Sequence, residues 1–499
     1  MPAAVKYVTP LDPEREALNT QSTQELQRRG NAYKEAVRYY IGNQDEQLKA
    51  TDPLDPNDNT TINMVKMTGD RTVQFLFPEI PKFETDPESI DDTDEEIYLR
   101  KCFEANGGLA FLTKLGLRGF LAGHTFIRVK PNLGKGKYPR MVLIDPATVT
   151  VFWKADDVGE VLWYEQRYVV GADFYIQDFI RSEDETRWFT RLFVAKGGNS
   201  AILDGYPTNH GTYFIQNNIL EMRSLPFEEV GAPVIHTSPI APIIEFRHLP
   251  HPDDYYGLGE FTQKDLQDVI NRIASERNRI VRENSDPVDV ITGADVDDVD
   301  GDGGIMTIAN ANARVSRLEM KGDLSGITAV LDKLIETYLA IARVVLLKGE
   351  AKDLQRVTNA SVRTLFLDML AKNMLLQASY GESLKQICKL LLTMGYANDM
   401  VEANPDELDI QIHFGSPLPV DLLEVATINQ LAITQGYMSG YTAATRLNLD
   451  PKFEQTHTDQ EKAKNLENQR AQMQMAAEFQ TPPTANEKQP TPKPNVATP

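Results

Sequence analysis

The sharpest local match to a cation-binding motif in this 499-residue chain is Asp298-Val299-Asp300-Gly301-Asp302-Gly303. It fits positions 1, 3, 5 and 6 of a calcium loop, in which oxygens alternate along the chain and a glycine makes the sharp turn. Position 12, which requires a bidentate glutamate, is Ala309. Without that ligand the stretch reads as an acidic turn joining two strands. Gly134-Lys135-Gly136-Lys137 suggests phosphate binding but has neither the spacing nor the Ser/Thr of a P-loop. His248 and His251 share a loop with no third ligand near, and no His-Glu-x-x-His occurs. A Gly-x-Ser-x-Gly elbow is absent too. No catalytic residue, metal site or cofactor is predicted.

Positive charge is more ordered. Between Thr125 and Ile144 stand Arg128, Lys130, Lys135, Lys137 and Arg140 with no acid among them. They form a solvated hairpin or a contact for nucleic acid or an acidic partner. Arg272, Arg279 and Arg282 recur at seven and three residues, one stripe of a helix. Lys348, Lys352 and Arg356 repeat every four residues and share a face if their segment is helical. Each set is either a solvated, salt-bridged face or one turned toward a neighbouring subunit or DNA. The acidic run Glu84 to Glu96 is a solvated loop or helix start, or else a docking surface.

The whole chain carries 51 basic and 72 acidic residues, a net charge of −21. That argues against a sequence-independent nucleic-acid clamp, which needs cations against phosphates, and against an anionic membrane surface. No uninterrupted apolar run approaches the length of a membrane span. Cys102 and Cys388 lie far apart with no ligand pattern, so a disulfide framework or cysteine zinc site is not expected and a reducing compartment is. No secretory signal is readable over residues 1–20.

The elements that would position these groups begin with a helix capped by Ser22 and running through Tyr40, then a second apolar-periodic segment closed by Pro78. Another helix is predicted over Leu109 to Phe120. Residues 125 to 250 read as a β-rich lobe, with strands at Phe126 to Lys130, Met141 to Ile144, Val149 to Trp153, Val161 to Val170, Thr186 to Val194 and Gly211 to Leu220. A helix over 260–284 and another over 324–345 flank two short strands, Val288 to Thr292 and Ile305 to Ile308. After a polar break, one helix from Ser361 to Met394 would be roughly 50 Å long. A strand over Leu408 to Phe414, helices over Val420 to Gln435, Ser439 to Leu447 and Asp459 to Phe479, and a proline-rich disordered tail over 481–499 complete the chain. The fold class is α+β, predominantly helical.

This order of elements resembles the portal (head–tail connector) proteins of tailed double-stranded-DNA bacteriophages, siphophage type. Matching patches include Tyr39-Tyr40-x-Gly42, Asn63, Phe75-Leu76-Phe77-Pro78, Gly123 to Val129 and Ile144-Asp145-Pro146-x-x-Val149. Further on come Pro242 to Phe246, Asp254-Tyr255-Tyr256-Gly257, Asp268 to Asn271, Ile410 to Phe414 with Pro419, and Gly436-Tyr437-Met438-Ser439. The resemblance implies a portal fold: 1–259 and part of 347–415 as wing, helices 260–285 and 324–346 as stem, and 286–323 as clip. It also implies a tunnel loop over 347–360 holding Lys348, Lys352 and Arg356, a long helix from 361, and a crown over 416–480. Asp295, Asp297, Asp298 and Asp300 would lie in the clip, where a motor or adaptor docks. The implied assembly is a ring, usually of twelve, at one capsid vertex in the virion, built in the host cytoplasm. Its implied partners are the terminase large subunit, a head–tail adaptor, major capsid and scaffolding proteins, and double-stranded DNA that passes without tight binding; no membrane is involved. The stem helices carry apolar stripes too isolated to bury alone, which independently predicts a homo-oligomer. An acidic hydrolase or another head or adaptor subunit are the alternatives.

Overall fold

The computed structural model describes residues 13–44, 48, 59–86, 92–132, 137–154, 157, 159–171, 173–182, 186–196, 227–236, 238–252, 255–285, 288–292, 299–302, 305–308, 314–318, 324–346, 359–418, 422–440, 442–443, 447, 462, 464 and 469–470. The chain divides into two compact units, Met1–Pro417 and Leu418–Pro499.

In the first unit, α1 spans Pro13–Tyr40, so the helix starts well before Ser22. Proline is tolerated in a first turn because its missing N–H is not needed there. α2 (Met64–Leu76) is capped by Asn63, whose side chain accepts from the Lys66 amide. After β1 (Lys82–Glu84) the acidic run leads into α3 (Asp94–Ala105), where Thr93 and Glu96 form a capping box. Asp94, Glu95 and Glu96 therefore sit at the positive end of the helix dipole, which is the helix-start alternative. α4 (Gly108–Ala122) ends at Gly123, whose φ of 82° favours glycine. A Cβ at Gly123 would also lie 2.1 Å from the Gly257 carbonyl oxygen.

The β-rich lobe follows as β2 (His124–Lys130), β3 (Arg140–Ile144), β4 (Val149–Trp153), β5 (Val161–Val170), β6 (Asp173–Arg181), β7 (Trp188–Ala195), β8 (Glu228–Glu229), β9 (Val234–His236) and β10 (Ile243–Arg247). β10, β2 and β3 make one antiparallel sheet; β4 to β7 make another, with β8 and β9 both on β7. The sequence reading missed β6. Buried Gln177 and Asp178 interrupt its alternation, as suits a strand between two others. The strand expected at 211–220 lies outside the described residues.

Next come α5 (Lys264–Ser285), β11 (Val288–Thr292), β12 (Val299–Asp302), β13 (Ile305–Ile308), β14 (Arg314–Leu318) and α6 (Leu324–Ala342). β11 pairs with β14 and β12 with β13, so the small unit has four strands where two were expected. Asp300 and Asp302 stand in β12, opposite Thr307 and Ile305. The acidic segment is thus itself a strand and not only a turn, and extended backbone cannot wrap a cation as a calcium loop does.

The long helix is not continuous. α7 (Asn359–Leu365) and α8 (Leu367–Ala397) meet at Phe366, whose ψ of 8° departs from helical geometry while its ring stacks on Phe75 at 5.6 Å. α8 alone is about 46 Å long at the usual rise. β15 (Gln411–His413) is shorter than the expected 408–414, because its partner β1 offers only three residues. The main core gathers Leu76, Phe103, Leu115, Ile127, Phe246 and Leu376 with Tyr380, Leu384 and Leu391 of α8.

In the second unit Asn429 of α9 (Leu422–Thr434) donates from Nδ2 to the Ala443 carbonyl at 3.1 Å, across the turn that follows the helix. Ser439 Oγ accepts from the Thr442 amide, the cap expected there.

Candidate functional site

α5 and α6 are the arms of a hairpin that carries the four-stranded unit between them. Ile270 and Ala274 of α5 pack with Leu331, Tyr338 and Leu339 of α6 over Met64. Burying these stripes supplies the non-directional part of the hold.

A second face of α5 is polar, with Gln267, Asn271, Ser275 and Asn278 at spacings of four, four and three. Gln267 accepts from the Met64 amide at 3.1 Å and donates to the Ile62 carbonyl at 2.7 Å. Asn271 Oδ1 accepts from the Ile62 amide at 2.9 Å, Ser275 Oγ from the Thr60 amide at 3.0 Å, and Asn278 donates to Thr60 Oγ1 at 2.6 Å. The irregular chain over 60–63 and the start of α2 thereby finds side-chain partners for backbone groups that no strand or helix pairs. The sequence reading missed this seam, although a 4-4-3 run of amides and a hydroxyl on an otherwise charged helix was a visible signal.

The third face is of mixed charge: Arg272 and Arg282 are exposed and Arg279 half-buried, with Asp265, Asp268 and the exposed Glu276 on the same side of the helix. The arginine stripe thus has two members on the surface.

At the base of the hairpin lies a buried charge cluster. Lys372 of α8 donates to Thr72 Oγ1 at 2.9 Å, Glu260 Oε2 at 2.8 Å and the Ala342 carbonyl at 2.9 Å. Glu260 Oε1 meets His248 Nε2 at 2.8 Å, and His248 Nδ1 meets the Tyr380 hydroxyl at 3.1 Å. Burial alone would raise the Glu260 carboxyl, but the hydrogen bond from His248 and the Lys372 ammonium outweigh it and hold it below the usual glutamate range. Burial, with the charge of Glu260, raises the Tyr380 phenol and keeps it protonated. Gly119 makes the close approach possible, since a Cβ there would fall 1.9 Å from the Tyr380 hydroxyl. His248, which shares a loop with His251, thus has both ring nitrogens committed to this cluster and none left for a metal. The sequence signal was a single lysine in the apolar run Met369 to Leu376, which has to find a partner.

The remaining predicted groups divide. Arg128 is drawn into the lobe, where it donates to Gln177 Oε1 at 2.5 Å and stands 5.4 Å from the centre of the Phe179 ring. Burial lowers its pKa. It is therefore not part of an exposed basic hairpin, on which Lys130, Lys137 and Arg140 do stand. Lys135, Asp295, Asp297, Asp298, Lys348, Lys352 and Arg356 lie outside the described residues, as does the side chain of Asp300.

A cleft of about 570 Å³ between the lobe and α8 is lined by Glu160, Arg181, Glu382, Lys385, Lys389 and Asp409. Lys154, 2.7 Å away, and Arg181 hold the Glu160 carboxyl below the usual range, so it stands ionised in ion pairs rather than poised as an acid. Among the described residues no helix is long and apolar enough to cross a membrane.

A model of one protein family, phage portal protein, SPP1 Gp6-like, matches residues 20–474. No curated protein matches the chain.

Proposed function

The chain belongs to the phage portal proteins of the SPP1 Gp6-like family, and from that membership we propose that copies of it form a ring at one capsid vertex. Double-stranded DNA is packaged through the ring by the terminase large subunit and later leaves through it, and a head–tail adaptor attaches to it. In this reading α5 and α6 are the stem, 286–323 the clip, 347–360 the tunnel loop and 416–480 the crown. The protein acts as a structural conduit without catalysis or cofactor; the chemistry belongs to the motor.

The observation that carries the reading is the hairpin itself: two helices joined by a small strand unit, with apolar residues left bare. Val330 and Ile341 of α6 and Leu367, Met374 and Leu375 of α8 are at least half exposed. Large bare apolar side chains at helical spacing are what a neighbouring copy would cover. Charge supports the same picture, because twelve copies at −21 each would carry about −250, and grip on DNA rises with each phosphate contact. A conduit through which DNA slides is served by few such contacts.

Electron microscopy of the purified chain should show rings with a central hole. A monomer by native mass, both free and in assembled particles, would overturn the reading. Reversing Lys348, Lys352 and Arg356 together should impair packaging and leave rings intact; unchanged packaging would mean that those groups do not face the channel.

A further inference from the structure

Lys372 has three ammonium protons, and they go to three separate elements: Thr72 in α2, Glu260 just ahead of α5, and Ala342 in the last turn of α6. The third contact is the informative one. α6 stops at Ala342 because Arg343 takes a φ of 52° and the Val344 amide turns back to the Leu339 carbonyl at 3.0 Å. A left-handed conformation at a non-glycine residue is costly and has to be held by its surroundings. The carbonyls at a helix C-terminus lack intrahelical partners and carry the negative end of the dipole. Here one of them is taken by a buried cation from another helix.

The other end of the cluster returns to the same helix. Glu260 reaches Tyr380 through His248, and Tyr380 stands eight residues beyond Lys372, on the same face of α8. Tyr338 of α6 feels the Glu260 charge as well, and burial with that charge pushes its phenol up to about 12. Both arms of the hairpin therefore converge on one face of α8: the chain entering α5 through Glu260, and the end of α6 through Ala342.

We infer that Lys372 is a positioning residue that sets the direction in which the chain leaves α6, by holding the Ala342 carbonyl against α8. Resting on the portal reading, this makes Lys372 the joint between the stem and the long helix, at the point where the chain departs toward the channel. The carbonyl capture is distinct from the ion pair with Glu260, and the two can be separated.

The test compares Glu260→Gln, Lys372→Met and the uncharged double variant E260Q/K372M in the full-length protein. Amide hydrogen exchange is followed over 340–346, with 384–392 of α8 as internal reference. Glu260→Gln keeps the ammonium on Ala342, so it should lower the melting temperature yet leave protection over 340–346 within about twofold. The double variant leaves no buried charge uncompensated and is the arm expected to fold even where Lys372→Met does not. It should exchange at least tenfold faster over 340–346, with the reference unchanged. Equal exchange in Glu260→Gln and the double variant, or a rise that includes the reference, would overturn the proposal. In particles, the double variant should form rings and package less DNA. Lost protection with normal packaging would overturn the link to the conduit, whereas a wild-type chain that forms no rings would overturn the portal reading instead.

Discussion

The two arms of one hairpin are held by different chemistry. α5 is fastened to residues 60–64 by Gln267, Asn271, Ser275 and Asn278, each bonded to a particular backbone or hydroxyl group. α6 rests on Leu331, Tyr338 and Leu339, and its Ala342 carbonyl is captured by Lys372 of α8. Hydrogen bonds fix register, because a slip of one residue takes every donor away from its acceptor. Apolar contact is non-directional and tolerates small shifts. The contrast makes α5 the fixed arm and α6 the arm whose end depends on a single ammonium.

That comparison can be broken first at Lys372. Lys372→Met leaves the buried Glu260 carboxylate without its cation and should cost about 3–5 kcal/mol, read as a shift of the denaturant midpoint; a loss below about 1 kcal/mol would mean that the cluster is wet and weak. Leu331→Ala should cost about 2–3 kcal/mol by opening a cavity in the α5–α6 contact, and equilibrium unfolding with an unchanged slope would confirm a local effect. Asn271→Ala strips partners from the Ile62 amide, from Gln267 and from Gln44. It should cost about 1–2 kcal/mol and raise hydrogen exchange over 60–64 while leaving 340–346 protected. Faster exchange in both segments would erase the distinction between the arms.

Smaller effects follow from pH. The Glu260 carboxyl lies below the usual glutamate value, so its contribution is complete above about pH 4.3 and lost as pH falls through the lower folded value. Glu245 in β10 is shifted the other way: burial raises its carboxyl, against the charge of Arg247 and a hydrogen bond from Tyr255. Its ionisation therefore costs stability as pH rises from about 4.3 toward the raised value. Melting curves from acid to neutral pH should be flatter at the acid end in Glu260→Gln. In Glu245→Gln they should lose the decline above about pH 4.3. The smallest effect belongs to the exposed Arg272, whose replacement by alanine should move stability by no more than about 0.5 kcal/mol.

Much of the fold was legible because periodicity reports local geometry. The helices at 64–76, 108–122, 264–285 and 324–342 were placed within a few residues from apolar spacing and caps. β6 was not, since a strand between two others can bury Gln177 and Asp178 and lose its alternation. Phe366 was unreadable as a break for a similar reason: nothing in Leu365-Phe366-Leu367 opposes a helix, and it is the stack on Phe75 that accompanies the departure. Of the charged groups singled out, Arg128 changed most. Its alternation with apolar neighbours in β2 was read correctly, but the Gln177 side chain that takes it in stands 49 residues away.

By itself the sequence determined the order of elements, the acidity of the chain, the arginine stripe of α5 and the likeness to portal proteins, all of which depend on residue type and near-neighbour spacing. Only the tertiary structure decided that Lys372, Glu260, His248, Tyr380 and the Ala342 carbonyl form one cluster. Five groups spread over more than 130 residues leave no periodic trace, and a buried charge is specified by whichever distant partners the fold brings within hydrogen-bond reach.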